Sequence, residues 1–262
     1  SKPWWRQLPG DIRGRILHGM LITRPPEPPA ASLKWLTIAA LALQIGGCAA
    51  TGTPSTPPVA AVPNLAEAKR HVSEYVDSGR YDADVAAVAE QARTFLEARV
   101  QRPGKLAIVV DIDETALSNL PSIRANDYGF IAAGPCDLPR GPCGLFAWIG
   151  MARAEPIKPV LALVRLARER GVAVFFLTGR PERLRAATEA NLRAAGYEWT
   201  GLLLKPDDLT TKSAADFKAP ERKKLQDQGY TIIVSIGDQM SDLDGGFAER
   251  TYKLPNPFYF LP

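Results

Sequence analysis

A short apolar run that ends in paired carboxylates constrains this chain more than any other feature. Lys105-Leu106-Ala107-Ile108-Val109-Val110 is rich in β-branched residues and reads as a strand buried in a parallel sheet. Asp111-Ile112-Asp113-Glu114-Thr115 follows directly. Two carboxylates one residue apart therefore stand at a strand's C-terminal end, where open α/β sheets bind their ligands. Like charges in a half-buried crevice are costly unless a cation joins them. The pair points to a divalent metal and to a reaction that uses a carboxylate.

Matching parts follow in order. Val172-Ala173-Val174-Phe175-Phe176-Leu177 is a second buried strand and runs into Thr178-Gly179-Arg180. Leu202-Leu203-Leu204 is a third. Ile232-Ile233-Val234-Ser235-Ile236 is a further one and ends in Gly237-Asp238-Gln239-Met240-Ser241-Asp242. Between the last two lies Phe217-Lys218-Ala219-Pro220-Glu221-Arg222, with Pro220 expected to open a helix. Strand ends thus deliver an Asp pair, a Thr-Gly turn and a second Asp pair, and a helix start delivers a lysine.

This order resembles the haloacid dehalogenase superfamily, and the wider stretches resemble its acid phosphatase subfamily IIIB. They are Asp111 to Asn119 (DIDETALSN), Pro135 to Gly144 (PCDLPRGPCG), Phe176 to Glu182 (FLTGRPE), Ile236 to Gly246 (IGDQMSDLDGG) and Lys253 to Tyr259 (KLPNPFY). A lone DxD would be weak; four motifs in order, each after an expected strand or before a helix, are specific. The resemblance spans roughly Leu65 to Pro262. It implies that Asp111 is a nucleophile forming an aspartyl-phosphate. Asp113 would protonate the leaving oxygen and then deprotonate water, which asks for a raised carboxyl there beside an ionised Asp111. Mg²⁺ would sit on the Asp111 carboxylate, the Asp113 backbone carbonyl and Asp238. Asp242 would hold a metal water or orient the lysine, with helix capping as its simpler role. Thr178 and the Gly179 N–H would cradle phosphoryl oxygens, with Arg180 either helping or lying at the surface. Lys218 is the expected stabilising lysine, with Lys205 the runner-up and Lys212 third.

Charge and histidine usage exclude other chemistries. The formal net charge is +4, yet residues 1–47 alone hold six Lys/Arg against two Asp/Glu. The rest is neutral, so no basic stripe points to a nucleic acid polymer. His18 and His71 are the only histidines and neither lies near a motif. That argues against histidine nucleophiles and against zinc or dinuclear-iron centres.

The N-terminal quarter reads as an address. Lys34 precedes an apolar run, Trp35 to Leu43, too short to span a bilayer. Ile45-Gly46-Gly47-Cys48 resembles a bacterial lipobox, so Cys48 is the expected lipidated residue and the protein an exported, membrane-anchored lipoprotein facing the periplasm. Met20 is a more usual signal start than Ser1, which leaves residues 1–19 as upstream sequence. Residues 48–64 include the Pro-rich tether Thr51 to Pro63.

The domain is expected to occupy residues 65–262, as a three-layer Rossmann-like α/β fold with a parallel sheet. Leu65 to Val100 is an N-terminal helical segment broken at Gly79, with Val85, Val88, Ala89, Ala92 and Leu96 on one face. A helix around Leu161 to Ala167, begun by Pro159 and stopped by Gly171, and another from Glu182 to Ala195 alternate with the strands. Residues 116–157 are too long for a loop and form a small cap. Its Cys136 and Cys143 remain an even pair once Cys48 is lipidated, and export favours a disulfide. Tyr128, Phe130, Phe146 and Trp148 in the cap either stack on a substrate base or pack its core. The expected function is Mg²⁺-dependent hydrolysis of phosphomonoesters, nucleoside 5′-monophosphates among them. A storage or binding lipoprotein on the same fold, and a phosphotransferase, are the alternatives.

Overall fold

The computed structural model describes residues 62–210 and 213–261. The expected export signal, Cys48, most of the expected tether and Lys212 lie outside them. The Asn64 side chain caps helix α1 (Leu65–Asp77), accepting the N–H groups of Ala66 and Glu67 at 3.0 and 3.2 Å. Gly79, at φ +77°, turns the chain into α2 (Arg80–Arg99). Tyr81, Val85, Ala89, Ala92 and Leu96 are buried. Their spacing of three or four residues gives α2 one apolar face toward the core.

Strand β1 (Leu106–Val110) leads into the insertion, which holds β2 (Leu117–Ser118), α3 (Leu120–Ala125), α4 (Leu145–Gly150) and β3 (Glu155–Pro156). β2 and β3 pair antiparallel, so the two ends of the insertion meet in a short ribbon. Cys136 and Cys143 form a disulfide within it. Then come α5 (Lys158–Glu169), β4 (Ala173–Pro181), α6 (Arg185–Ala194), β5 (Gly201–Lys205), α7 (Ala215–Asp227), β6 (Thr231–Gly237) and β7 (Arg250–Lys253). The other five strands form one parallel sheet in the order β5-β4-β1-β6-β7.

The alternation along β1 divides the core. Ile108 and Val110 join the cluster that includes α2, α5 and α6 residues such as Leu96, Leu163 and Leu192. Ala107 and Val109 join Phe217 and Leu225 of α7 on the other face. Helices cover both faces, as the Rossmann-like expectation required. The chain winds from β1 outward through β4 to β5. It then crosses by α7 to β6 on the other side of β1. That reversal opens a crevice at the C-terminal end of β1, where such sheets place ligands.

Two local expectations need correction. Pro220 does not open α7; it lies inside the helix, which starts at Ala215. Ser213 and Asp216 explain the earlier start. The Ser213 Oγ accepts from the Asp216 N–H at 3.3 Å, and the Asp216 carboxylate accepts from the Ser213 N–H at 3.1 Å. Lys218 therefore rides on the helix rather than on the loop before it. The helix after β4 also begins with a 3-10 turn, Glu182–Leu184, before α6 proper. Edge strand β7 had no separate sequence signal, being four residues long and mostly exposed.

Candidate active site

Asp111 and Asp113 leave the end of β1 in different directions, because the chain turns there. The Asp111 N–H still donates to the Ile236 carbonyl at 3.0 Å, extending the sheet by one bond. Glu114, at φ +52°, then bends the backbone into a tight turn. The Ala116 and Leu117 N–H groups both return to the Ile112 carbonyl, at 2.9 and 2.8 Å.

Asp111 meets the lysine from α7. Lys218 Nζ donates to Asp111 Oδ1 at 2.7 Å and also to the Asp242 carboxylate. All three side chains are buried. Lys205 ends β5, two strands from β1, and is absent from the cleft walls. Lys218, not Lys205, is therefore the lysine brought to the Asp pair. Burial alone would lower the Lys218 ammonium, but Asp111 and Asp242 outweigh it and hold it raised.

Asp238 follows β6, and its carboxylate is tied by three donors. Thr115 Oγ1 reaches Oδ1 at 3.3 Å, Gln239 Nε2 reaches Oδ2 at 2.8 Å, and Asn256 Nδ2 also reaches Oδ2. Asp242 ends a 3-10 turn, Met240–Asp242. One of its oxygens accepts the Gln239 N–H at 2.8 Å while the other holds Lys218. It serves both as the third residue of a capping box, whose cap is Gln239, and as the lysine's partner.

The carboxylates of Asp111, Asp238 and Asp242 each place an oxygen within 4.8 Å of the other two. Lys218 is the one cation bonded to the group among the described residues. Burial and Asp242 raise Asp111 well above the usual carboxylate range, and the same causes push Asp238 to about 7. Three buried carboxylates with oxygen-only donors, two of them pushed up by burial and by the third, fit a hard divalent metal. The Asp113 side chain stands outside this cluster, and the expectation for Asp113 concerned only its backbone carbonyl.

Asp113 is held by Arg180 instead. Arg180 is buried, with Nε 3.1 Å from Asp113 Oδ2 and Nη2 2.8 Å from Oδ1. This corrects the surface reading of Arg180: it is buried, lines the cleft and places its fork on Asp113. Asn119 Nδ2 adds a bond to Asp113 Oδ1 at 2.8 Å. Burial opposes ionisation of Asp113, but Arg180 and Asn119 prevail and lower it. The directions run opposite to the expected order, raised Asp113 beside an ionised Asp111. The Arg180 guanidinium lowers Asp113, while burial and Asp242 raise Asp111.

Thr178 is fully buried, and its Oγ1 accepts the Arg180 N–H at 3.1 Å. Gly179 is more exposed and lines the cleft with Asp111, Asp113, Lys218 and Asp238. Of the four cap aromatics, Phe130 and Phe146 line the cleft. Trp148 is buried, and Tyr128 stacks on Phe258 with ring centres 6.3 Å apart. Several residues with no role assigned from sequence complete the arrangement. Glu114 is buried and receives the Asn119 N–H and the Tyr259 hydroxyl, both at 2.6 Å; burial and Asp113 push it to about 7. Asn119, Glu114, Arg222, Asn256 and Tyr259 all stand inside quoted motifs. For Glu114, its place next to the first Asp pair was the available signal.

Residues 48–262 match the model of the HAD superfamily, subfamily IIIB (acid phosphatase). The chain belongs to that subfamily. Its relatives include the stem 28 kDa glycoprotein of Glycine max, 36% identical over 72% of this chain and 72% of that protein. Acid phosphatase 1 of Solanum lycopersicum is 31% identical over 74% of this chain and 75% of that protein. Vegetative storage protein 2 of Arabidopsis thaliana is 30% identical over 75% and 73%. Among solved structures, the class C acid phosphatase from Bacillus anthracis with tungstate bound superposes with a TM-score of 0.59. It covers 74% of this chain and 86% of that one at 22% identity, which establishes the shared fold. Membership in the HAD acid phosphatases accounts for the order in which β1, β4, α7 and β6 deliver their side chains to one crevice.

Proposed function

We propose that the protein is a Mg²⁺-dependent phosphomonoesterase working through an aspartyl-phosphate on Asp111. The carrying observation is the convergence in one cleft of Asp111, the Lys218 that bonds it, and Asp113 beside it. Asp111, Asp238 and Asp242 would hold the metal, with the Asp113 carbonyl. The metal supplies charge neutralisation for the incoming phosphoryl group.

The chain's own residues do the rest. An Asp111 carboxylate oxygen attacks phosphorus as the bond from phosphorus to the leaving oxygen breaks, and Asp113 gives its proton to that oxygen. A dianionic phosphate next to Asp113 opposes the pull of Arg180 and helps it carry the proton. Water then loses a proton to Asp113 and attacks phosphorus, releasing phosphate and restoring Asp111. Lys218 opposes protonation of Asp111 and orients it, and the Gly179 N–H at the cleft wall receives a phosphoryl oxygen. The storage alternative has support in the Arabidopsis relative's name. Against it stands the retention here of both carboxylates, the lysine and the acidic cluster in contact.

The test is hydrolysis of an aryl phosphate by the full chain with Mg²⁺, with chelator, and by Asp111→Asn. Turnover should vanish in chelator and return with Mg²⁺, and the variant should lose at least about 10³-fold. Metal-independent turnover, or an active Asp111→Asn, would sink this reading. A nucleoside 5′-monophosphate panel against alkyl phosphates tests the nucleotide substrate, for which Phe130 and Phe146 supply apolar walls. Addition of an alcohol separates hydrolysis from phosphoryl transfer. We also place the protein on a membrane through a lipid on Cys48; detergent partitioning that is unchanged in Cys48→Ser would count against that.

A further inference from the structure

Asn119 is fully enclosed, and its side-chain amide has one neighbour that decides which way round it lies. Trp148 Nε1 is 2.9 Å from the amide oxygen. An indole N–H only donates, so the atom facing it must be the oxygen. The amide nitrogen is thereby turned to the other side, where it donates to Asp113 Oδ1 at 2.8 Å and Glu114 Oε2 at 3.0 Å. Both acceptors are carboxylates, so a flipped amide would set its oxygen against two acidic groups and leave the indole unpaired.

The consequence falls on Asp113. Its Oδ1 takes Asn119 Nδ2 and Arg180 Nη2, both at 2.8 Å, while its Oδ2 has only Arg180 Nε, at 3.1 Å. Oδ1 is thus occupied by strong donors, and Oδ2 is the oxygen left free to carry and pass a proton. Trp148 belongs to α4 of the cap, 29 residues from Asn119. It is buried and does not line the cleft.

We propose that Trp148 is a positioning residue that acts through Asn119 to fix which oxygen of Asp113 exchanges the proton, so that the cap helix sets the acid–base geometry. This rests on the proposed role of Asp113 as the acid and base. In the step concerned, Asp113 Oδ2–H gives its proton to the ester oxygen as the bond from phosphorus to that oxygen breaks and an Asp111 oxygen bonds to phosphorus. Water then returns a proton to Oδ2.

The test exploits leaving groups. A dinitrophenolate leaves without a proton, whereas an alkoxide needs one. Trp148→Phe keeps the apolar bulk and removes only the donor. In single turnover its rate of dinitrophenolate release should stay within about twofold of wild type, while the rate of alcohol release from an alkyl phosphate falls by about 10–100-fold; only this first step separates the two esters, because both share the water step. Asn119→Ala should show the same selective loss. The double variant should be no worse than Asn119→Ala alone, because Trp148 works through that amide. Equal losses on both substrates, or additive losses in the double variant, would make Trp148 a packing residue and overturn the proposal. Dinitrophenyl phosphate turnover also reports folding of each variant. A wild type inert toward both esters would instead overturn the hydrolase reading, and this role with it.

Discussion

Lys218→Met is expected to lower kcat for phosphomonoester hydrolysis by about 10²–10³-fold and to destabilise the metal-free protein by about 3–5 kcal/mol. Both effects have one cause. Lys218 lies among three buried acids and bonds two of them, Asp111 at 2.7 Å and Asp242. Methionine matches its length and removes its charge. The acids are then left without a cation, and folding must either bury their repulsion or protonate them. Divalent cation should offset much of the stability loss, because it would bind the same three acids in the folded state. Mg²⁺ should therefore raise the melting temperature of the variant by more than it raises that of wild type. Activity should not return in parallel, since a metal restores charge but not the bond that orients Asp111. Melting curves with and without Mg²⁺, beside steady-state kinetics, decide it. A variant with wild-type stability in chelator would show that Lys218 does not neutralise the cluster.

The residues that were easy to read from sequence are those whose chemistry requires a fixed place along the chain. Asp111 and Asp113 follow a β-branched run, and Asp238 follows another, so strand ends alone located them. Lys218 was harder, because its approach depends on α7 crossing from β5 to β6, and a crossing is set by packing. The Ser213–Asp216 capping pair, which starts α7 ahead of Pro220, was visible in the letters, but the proline is the stronger local signal. Arg180 was left between two readings for a different reason. It sits next to the phosphate turn, and sequence adjacency says nothing about which carboxylate a long side chain will reach. Asn119 and Trp148 were illegible as a pair, since they meet only when the insertion folds back on β1. Strand β7 lacks both length and an apolar face.

Arg222→Met is expected to cost about 3 kcal/mol, and thereby to lower the melting temperature by roughly 6–12 °C. Arg222 is wholly buried one helical turn after Lys218 on α7. It meets no carboxylate. Its guanidinium donates to backbone carbonyls: Asp242 at 2.6 Å, Gly246 at 3.0 Å, and Asp244. Asp242 is thus gripped twice by one helix, at its carboxylate by Lys218 and at its carbonyl by Arg222. The loop has no slack to compensate. A Cβ on Gly245, which sits at φ +85°, would come within 2.5 Å of the Ala219 Cβ on the same helix. Methionine fills the space yet removes every donor, and only the Asp242 carbonyl keeps another partner, the Ser235 hydroxyl at 3.2 Å. Arg222→Lys retains the charge without the planar fork that spans separate acceptors, so it should recover only part of the loss. If both variants melt with wild type, the three carbonyls are satisfied by water once the arginine is gone. If lysine restores full stability while methionine does not, the contribution is charge alone and the fork is dispensable.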